Sequence, residues 1–402
     1  MPCVWSKKRD VSTCGGKPVK KVFVVVGLGP AGAEACSLLR SKDPDAEIIV
    51  FQEEPYPFYS RIRLTEYLGG QLDARKLVMK DDNWFKDARI TLYKGEKVEG
   101  IDAKEGICFS SQRRVRYDAL LLATGATAFK PPIKGADLEN CFTLRTLDDA
   151  NAILSVAKGA KKVAIIGGGI LGLECALGLK KLGLDCIVIE VAPYLLSRQL
   201  DASAGKFLQG ILENKGLEFR LGCTTNEILG DGKVRGVYLS NGEAIEVSFA
   251  VIAAGIRPRT DLALALGASV SKGIVVDDHM KTSVEGVFAA GDCAEHKGKV
   301  YGIWPSAEAQ GRVAASNMAG IEATFEGIVP SNTMKVSDVP VFSIGALDGD
   351  KIVVLQKQGI FRRFVYDESD RLVGAILIGT LKERQKVVNA ITQKQGYEPT
   401  EV

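Results

Sequence analysis

An α/β fold made of two like units of parallel sheet, followed by a small α+β domain, is what this sequence predicts. Three observations predict it. A glycine-rich turn occurs twice, as Gly27-Leu28-Gly29-Pro30-Ala31-Gly32 and as Gly167-Gly168-Gly169-Ile170-Leu171-Gly172, about 140 residues apart. Each copy follows a β-branched apolar run, Val22–Val26 or Val163–Ile166, and opens a stretch rich in Ala, Leu and Cys. The following runs echo one another as well: Leu120-Leu121-Leu122-Ala123-Thr124-Gly125 is matched by Val251-Ile252-Ala253-Ala254-Gly255. In a strand–turn–helix setting the first glycine permits the tight turn and the second lets a pyrophosphate approach the backbone. The third lets helix and strand pack closely. The helix N-terminus then meets phosphates with unpaired N–H groups and a positive dipole end. One such turn is weak evidence; two in the same context predict two Rossmann-like dinucleotide-binding domains, and electron transfer between their occupants.

The elements follow in order. Residues 1–18 read as an N-terminal extension ending at Gly15-Gly16-Lys17-Pro18. A first dinucleotide domain spans 19–145 and 274–323. Its strand–turn–helix runs from Lys20 to about Arg40, its second strand is Glu47–Phe51, and the stretch up to Lys97 reads as helix and loop around Trp84 and Phe85. A strand-rich part, Val98–Ala128, comes next, and Pro131-Pro132 breaks it. The second dinucleotide domain, 146–273, opens with a helix over Thr146–Gly159 and repeats the order with Lys161–Leu182 and Asp185–Ile189. Gly286–Asp292 returns the chain to the first domain, and 324–402 forms the C-terminal domain with strands at Lys351–Leu355 and Phe361–Tyr366. At 402 residues the chain exceeds what one hydrophobic core organises.

Composition narrows the functional classes. With 46% apolar and 25% charged residues and a net charge of +3, the chain gives no reason to expect nucleic acid or membrane as a partner. No apolar run approaches the roughly 20 residues of a membrane span, and Ser6-Lys7-Lys8-Arg9-Asp10 ends any leader-like run. A cytoplasmic protein, monomer or homodimer, is expected. The nine cysteines form no CxxC pair and no metal spacing. Most sit in apolar runs as small buried hydrophobes, while Cys3 and Cys14 fall in the polar extension.

Candidate binding residues come from the fingerprint. A carboxylate at the end of each second strand fits the ribose position. In the first unit that is Glu53 or Glu54; in the second it is Glu190, 18 residues past Gly172. A carboxylate there repels a 2′-phosphate, which favours NADH, although Arg198 leaves room for NADPH. Gly291-Asp292 follows an apolar strand and suits the ribityl or pyrophosphate side of a flavin. Glu174, in the first turn of the second fingerprint helix, is a candidate for positioning a nicotinamide. His296 follows Asp292 closely enough to line a pocket, whereas His279 reads as structural.

These motifs together resemble the two-dinucleotide-domain flavoprotein reductases of the glutathione-reductase-like fold. More narrowly, Tyr59-Ser60-Arg61, Leu144–Ala150 and Trp304–Arg312 resemble NADH:rubredoxin reductases and the flavoprotein part of NAD(P)H nitrite reductases. The resemblance implies FAD in the first domain, with Gly27, Gly29, Pro30, Ala31 and Gly32 at its pyrophosphate and Glu53 or Glu54 at its ribose. It further implies that Arg61, Val98, Ala123, Thr124, Gly125, Arg145, Gly291, Asp292 and Trp304 meet the same cofactor. NADH would occupy Gly167, Gly169, Ile170, Leu171, Gly172, Glu190 and Gly255, its nicotinamide near Glu174.

Departures from relatives of that fold narrow the chemistry. No cysteine lies between Cys36 and Cys108, so the thiol relays common in the superfamily have no residue here. Where two-component ferredoxin reductases place a lysine near the flavin, this chain has Glu66. With no cysteine after Cys293, the iron–sulfur and siroheme chemistry of complete nitrite reductases is not expected. The expected reaction is hydride transfer from NADH to FAD and one-electron transfer onward to a small redox protein such as rubredoxin. Alternatives are an NADH oxidase using O2, the flavoprotein component of a nitrite-reductase-like system, or a flavin- and NAD-binding sensor without turnover.

Overall fold

The computed structural model describes residues 20–334 and 339–400; Cys3 and Cys14 lie outside the described residues. Two parallel sheets of five strands organise the first three quarters of the chain. The first has the order Val287–Ala289, Ala119–Leu122, Val22–Val26, Glu47–Gln52 and Ile90–Lys94. The second has the order Cys141–Thr143, Phe249–Ile252, Lys162–Ile166, Asp185–Glu190 and Leu217–Leu221. All pairings within them are parallel. The two sheets are the same construction, as the internal echo predicts.

The central strands read as unbroken apolar runs because both sheet faces are covered, the second sheet's by helices on one side and by the antiparallel strands Thr225–Asp231, Lys233–Leu239 and Ala244–Glu246 on the other. Phe23, Val24 and Val25 are fully buried, as are Val163, Ala164 and Ile165. Each large apolar side chain so buried contributes about 1.5–3 kcal/mol. One strand escapes the sequence reading. Ile90–Lys94 pairs in register with Ile48–Gln52 inside the stretch read as helix and loop. It is an edge strand with only Ile90 buried, so it carries a weak apolar signal.

The fingerprint helices, Pro30–Lys42 and Ile170–Lys181, both begin after a glycine N-cap that makes no side-chain capping bond. Their first-turn N–H groups are therefore left for an external acceptor. The helix Leu147–Ala157 is closed instead by a reciprocal box of Thr146 and Asp149. A short antiparallel ladder joins the two units, pairing Ala126–Ala128 with Ile256–Pro258. The helix Trp304–Met318 lies so close on Pro30–Lys42 that a Cβ on Gly311 would stand 2.3 Å from the Ala31 carbonyl oxygen.

The C-terminal part is a five-stranded antiparallel sheet with the helix Arg384–Thr392 against it. Its residues Val341, Phe361, Ile376 and Ile378 share a core with the second unit, where Phe361 stacks on Phe207. Among the described residues, no helix is long and apolar enough to cross a membrane.

Candidate functional site

Both fingerprints fold into the same cradle. Gly27 and Gly167 have φ of +101° and +122°, which side-chain-bearing residues rarely adopt. A Cβ on either would stand 2.3 or 2.4 Å from the carbonyl oxygen of Ala123 or Ala253. Around the middle glycines, Gly29 and Gly169, the space is open to 4 Å. The third glycines pack tightly: a Cβ on Gly32 or Gly172 would meet the first glycine's carbonyl at 2.2 or 2.0 Å. A tight turn, an open approach and a close helix are the three features that a diphosphate needs. They fit a dinucleotide in each unit.

In the first unit this cradle opens into a cavity of about 1310 Å³. Gly27, Gly29, Pro30, Ala31, Glu53, Glu54, Arg61, Val98, Ala123, Thr124, Gly125, Arg145, Gly291, Asp292 and Trp304 all line it. Gly32 stands behind it as the packing glycine. A cavity of this size lined by an open helix N-terminus and an indole fits a cofactor with a diphosphate and a large ring, as FAD has.

Charged groups along the wall are fixed by one another. Arg61 pairs with Glu54 and donates to the Arg145 carbonyl oxygen at 3.0 Å. Arg145 in turn donates to Asp292 at 2.7 Å. The Tyr59 hydroxyl donates to Glu54 at 2.5 Å and accepts from the Leu147 N–H at 3.1 Å. Burial, and then the charge of Glu54, pushes that phenol well above its ordinary range, so it stays a donor. Glu53 pairs with Arg259, which reaches over from the second unit. The Gly291 N–H donates to the buried Gln310 side chain at 2.8 Å, which holds the turn before Asp292.

In the second unit Glu190 folds back onto its own cradle. Its carboxylate accepts from the Gly168 N–H at 2.6 Å and from the Ala192 N–H at 2.8 Å. Ile170 and Leu171 open the helix, Leu171 with an exposed side chain, and Gly255 turns at φ +106°. Glu174 is 6% exposed and accepts from the Thr65 hydroxyl at 3.2 Å, inside the contact between the second fingerprint helix and the helix Leu64–Leu68. It does not line the large cavity.

Several expectations are corrected. His296 lines no part of the cavity; it is buried with Nε2 2.7 Å from Asp278 and its ring edge-on to Phe325. Its sequence proximity to Asp292 misleads because the strand Ala294–His296 carries it into the core. Glu66 pairs with Arg63 and also stands off the cavity wall. Three site residues escaped the sequence reading: Gln52, Gln310 and Arg259. The signal for Gln52 was the repeat itself, since it ends its strand where Glu190 ends the equivalent one. Of the described cysteines, Cys36, Cys108, Cys175, Cys186 and Cys293 are buried as expected, and none lines the cavity.

Comparison with known proteins places this geometry. Residues 21–311 match the pyridine nucleotide-disulphide oxidoreductase family, and residues 330–395 match the rubredoxin NAD+ reductase C-terminal domain. A nitrite reductase [NAD(P)H] of Bacillus subtilis is 39% identical over 95% of this chain and 48% of its own length. An NADH oxidase of Methanocaldococcus jannaschii is 30% identical over 90% of this chain and 89% of its own length. The solved NADH:rubredoxin oxidoreductase from Clostridium acetobutylicum superposes with a TM-score of 0.80 at 27% identity, covering 95% of this chain and 97% of that one. The chain spans about half the length of the nitrite and nitrate reductase proteins it matches. From its doubled cradle and this match over most of its length, the chain belongs to the pyridine nucleotide-disulphide oxidoreductase family.

Proposed function

We propose that the chain is an FAD-dependent NADH oxidoreductase that delivers electrons to a separate small iron protein such as a rubredoxin. The observation that carries this reading is the pairing of two dinucleotide cradles with a cavity wall on which, among the described residues, no cysteine stands. Bound FAD would supply the exchange between a hydride donor and a one-electron acceptor. Gly29 and the open N-terminus of Pro30–Lys42 would bind its diphosphate, Glu53 or Glu54 its ribose, and Arg61, Arg145, Asp292 and Trp304 its remaining length. Gly169 and the N-terminus of Ile170–Lys181 would bind the diphosphate of NADH. Glu190, held between two backbone N–H groups, would favour NADH over NADPH by repelling a 2′-phosphate. Glu174, buried where the two units meet, would position the nicotinamide end. The proposed division is 19–145 with 274–323 for FAD, 146–273 for NADH and 324–402 as the C-terminal domain, the strand Cys141–Thr143 near the first boundary pairing into the second unit's sheet.

A second reading makes this chain the flavoprotein component of a nitrite-reductase-like system. It is favoured by the 39% identity to the Bacillus nitrite reductase over 95% of the chain. A single anaerobic experiment tests both. NADH should bleach the flavin absorbance of the FAD-loaded protein, and added rubredoxin should restore it faster than ferredoxin or air does. Failure to bleach removes the oxidoreductase reading. Restoration only by a nitrite-reductase module selects the second reading, and fastest restoration by O2 selects an oxidase.

A further inference from the structure

Arg259 belongs by sequence to the second unit, yet its side chain lies on the wall of the first unit's cavity. It follows the strand Ile256–Pro258, which pairs with Ala126–Ala128 in the ladder that joins the units. Its backbone is tied on both sides: the N–H donates to the Gly125 carbonyl at 2.9 Å, and its carbonyl accepts from the Thr124 hydroxyl at 3.0 Å. Those two partners belong to the Ala123-Thr124-Gly125 turn behind the first cradle. From this anchored position the guanidinium pairs with Glu53.

The charges on the wall make that pair informative. Among the described residues, its cations are Arg61, Lys97, Arg145 and Arg259. Arg61 is engaged by Glu54 and Arg145 by Asp292. Lys97 reaches Glu53 only at 3.8 Å and is 71% exposed. A dinucleotide brings a doubly charged diphosphate into a cavity already lined by carboxylates, so an uncompensated Glu53 would oppose its binding. The Glu53–Arg259 pair is 43% and 39% exposed, and an ion pair that open contributes little to folding. It therefore has little use as a structural staple, and its effect falls on whatever fills the cavity beside it.

We infer that Arg259 is a positioning residue through which the second unit controls retention of the dinucleotide in the first. It orients and neutralises Glu53 at the adenosine end. Because its backbone sits at the joint between the units, cofactor grip depends on both units being in place. This inference rests on the reading of the first cavity as the FAD site.

The test uses the full chain stripped of flavin and titrated with FAD, followed by flavin fluorescence and by the rate of FAD release. Wild type should bind FAD; absence of binding would overturn the FAD reading itself. With binding established, Arg259→Ala should raise the FAD Kd and release rate about tenfold, Arg259→Lys should recover most of the loss, and Arg259→Glu should lose more. The melting temperature of the flavin-free protein should stay at the wild-type value in Arg259→Ala. In a Glu53→Ala background, Arg259→Ala should add less than twofold, because the carboxylate it orients is gone. Unchanged Kd in Arg259→Ala, strictly additive losses in the double variant, or an equal fall in melting temperature with and without FAD would each overturn the inference.

Discussion

The two fingerprint units have the same backbone and different electrostatics. In each, the N–H of the first glycine donates to the carbonyl of the residue before the second strand's last position, Phe51 or Ile189, at 2.8 Å. In each, the side chain at that last position accepts from the next N–H of the turn. In the first unit it is a neutral amide: Leu28 N–H donates to Gln52 at 3.1 Å. In the second it is a carboxylate, Glu190, on Gly168 N–H at 2.6 Å. The first unit's acids, Glu53 and Glu54, come one and two residues later and are held by arginines. One cradle thus carries an anion held by backbone N–H groups beside its ligand path, whereas the other pairs its anions with arginines. The same contrast recurs one turn into the helices. Glu34 and Glu174 each follow the third glycine by two residues, but Glu34 pairs with Arg312 at an exposed edge while Glu174 is buried against Thr65.

The largest effects should come from what the units share. Gly32→Ala or Gly172→Ala drives a Cβ into a backbone carbonyl at 2.2 or 2.0 Å, so the strand and helix must separate. Each should cost about 3 kcal/mol in thermal or denaturant unfolding. Gly32→Ala should lose FAD, while Gly172→Ala should keep FAD and lose flavin reduction by NADH. Loss of FAD in both variants would mean that the units do not act separately.

Glu174→Ala should follow, at about 1–3 kcal/mol, since it leaves buried groups such as the Thr65 hydroxyl without their acceptor. Glu34→Ala at the equivalent place should remain within about 0.5 kcal/mol. Equal losses in chemical denaturation would erase the difference between the two helices.

Selectivity tests the other difference. Glu190→Gln gives the second cradle the first one's neutral amide and should lower the NADH-over-NADPH ratio of kcat/KM about tenfold, or about 1.4 kcal/mol. The turn should survive, because an amide oxygen also accepts from Gly168 N–H. An unchanged ratio would reduce Glu190 to a prop for the turn.

The smallest effect expected is none at all. Burial pushes the Cys36 thiol up to about 12, and it raises Cys175 further still. Cys36 lies on one fingerprint helix and Cys175 on the other. Below those values both remain protonated thiols, so iodoacetamide at pH 8 should leave them unlabelled in the native protein and label them once it is unfolded. Native labelling of one alone, followed by mass spectrometry of the peptides, would show that its unit opens first.

By itself the sequence determined the doubled cradle and the apolar strands that carry it, while most residues of the first cavity were named through a family resemblance, which left out Gln52 and Arg259. The cradle and its strands are local features. A glycine's φ, a β-branched run and an uncapped helix start are set within a few residues, so they can be read along the chain. Only the tertiary structure decided which carboxylate is held by backbone N–H groups and which is paired with an arginine. It also decided that Gln52 and not Glu53 matches Glu190, that His296 turns into the core, that Ile90–Lys94 completes a sheet and that Arg259 crosses between units. Each of these depends on a partner far away in sequence, 206 positions in the case of Glu53 and Arg259. A side chain's charge environment is set by what the fold brings within a few ångströms, and no local pattern records that distance.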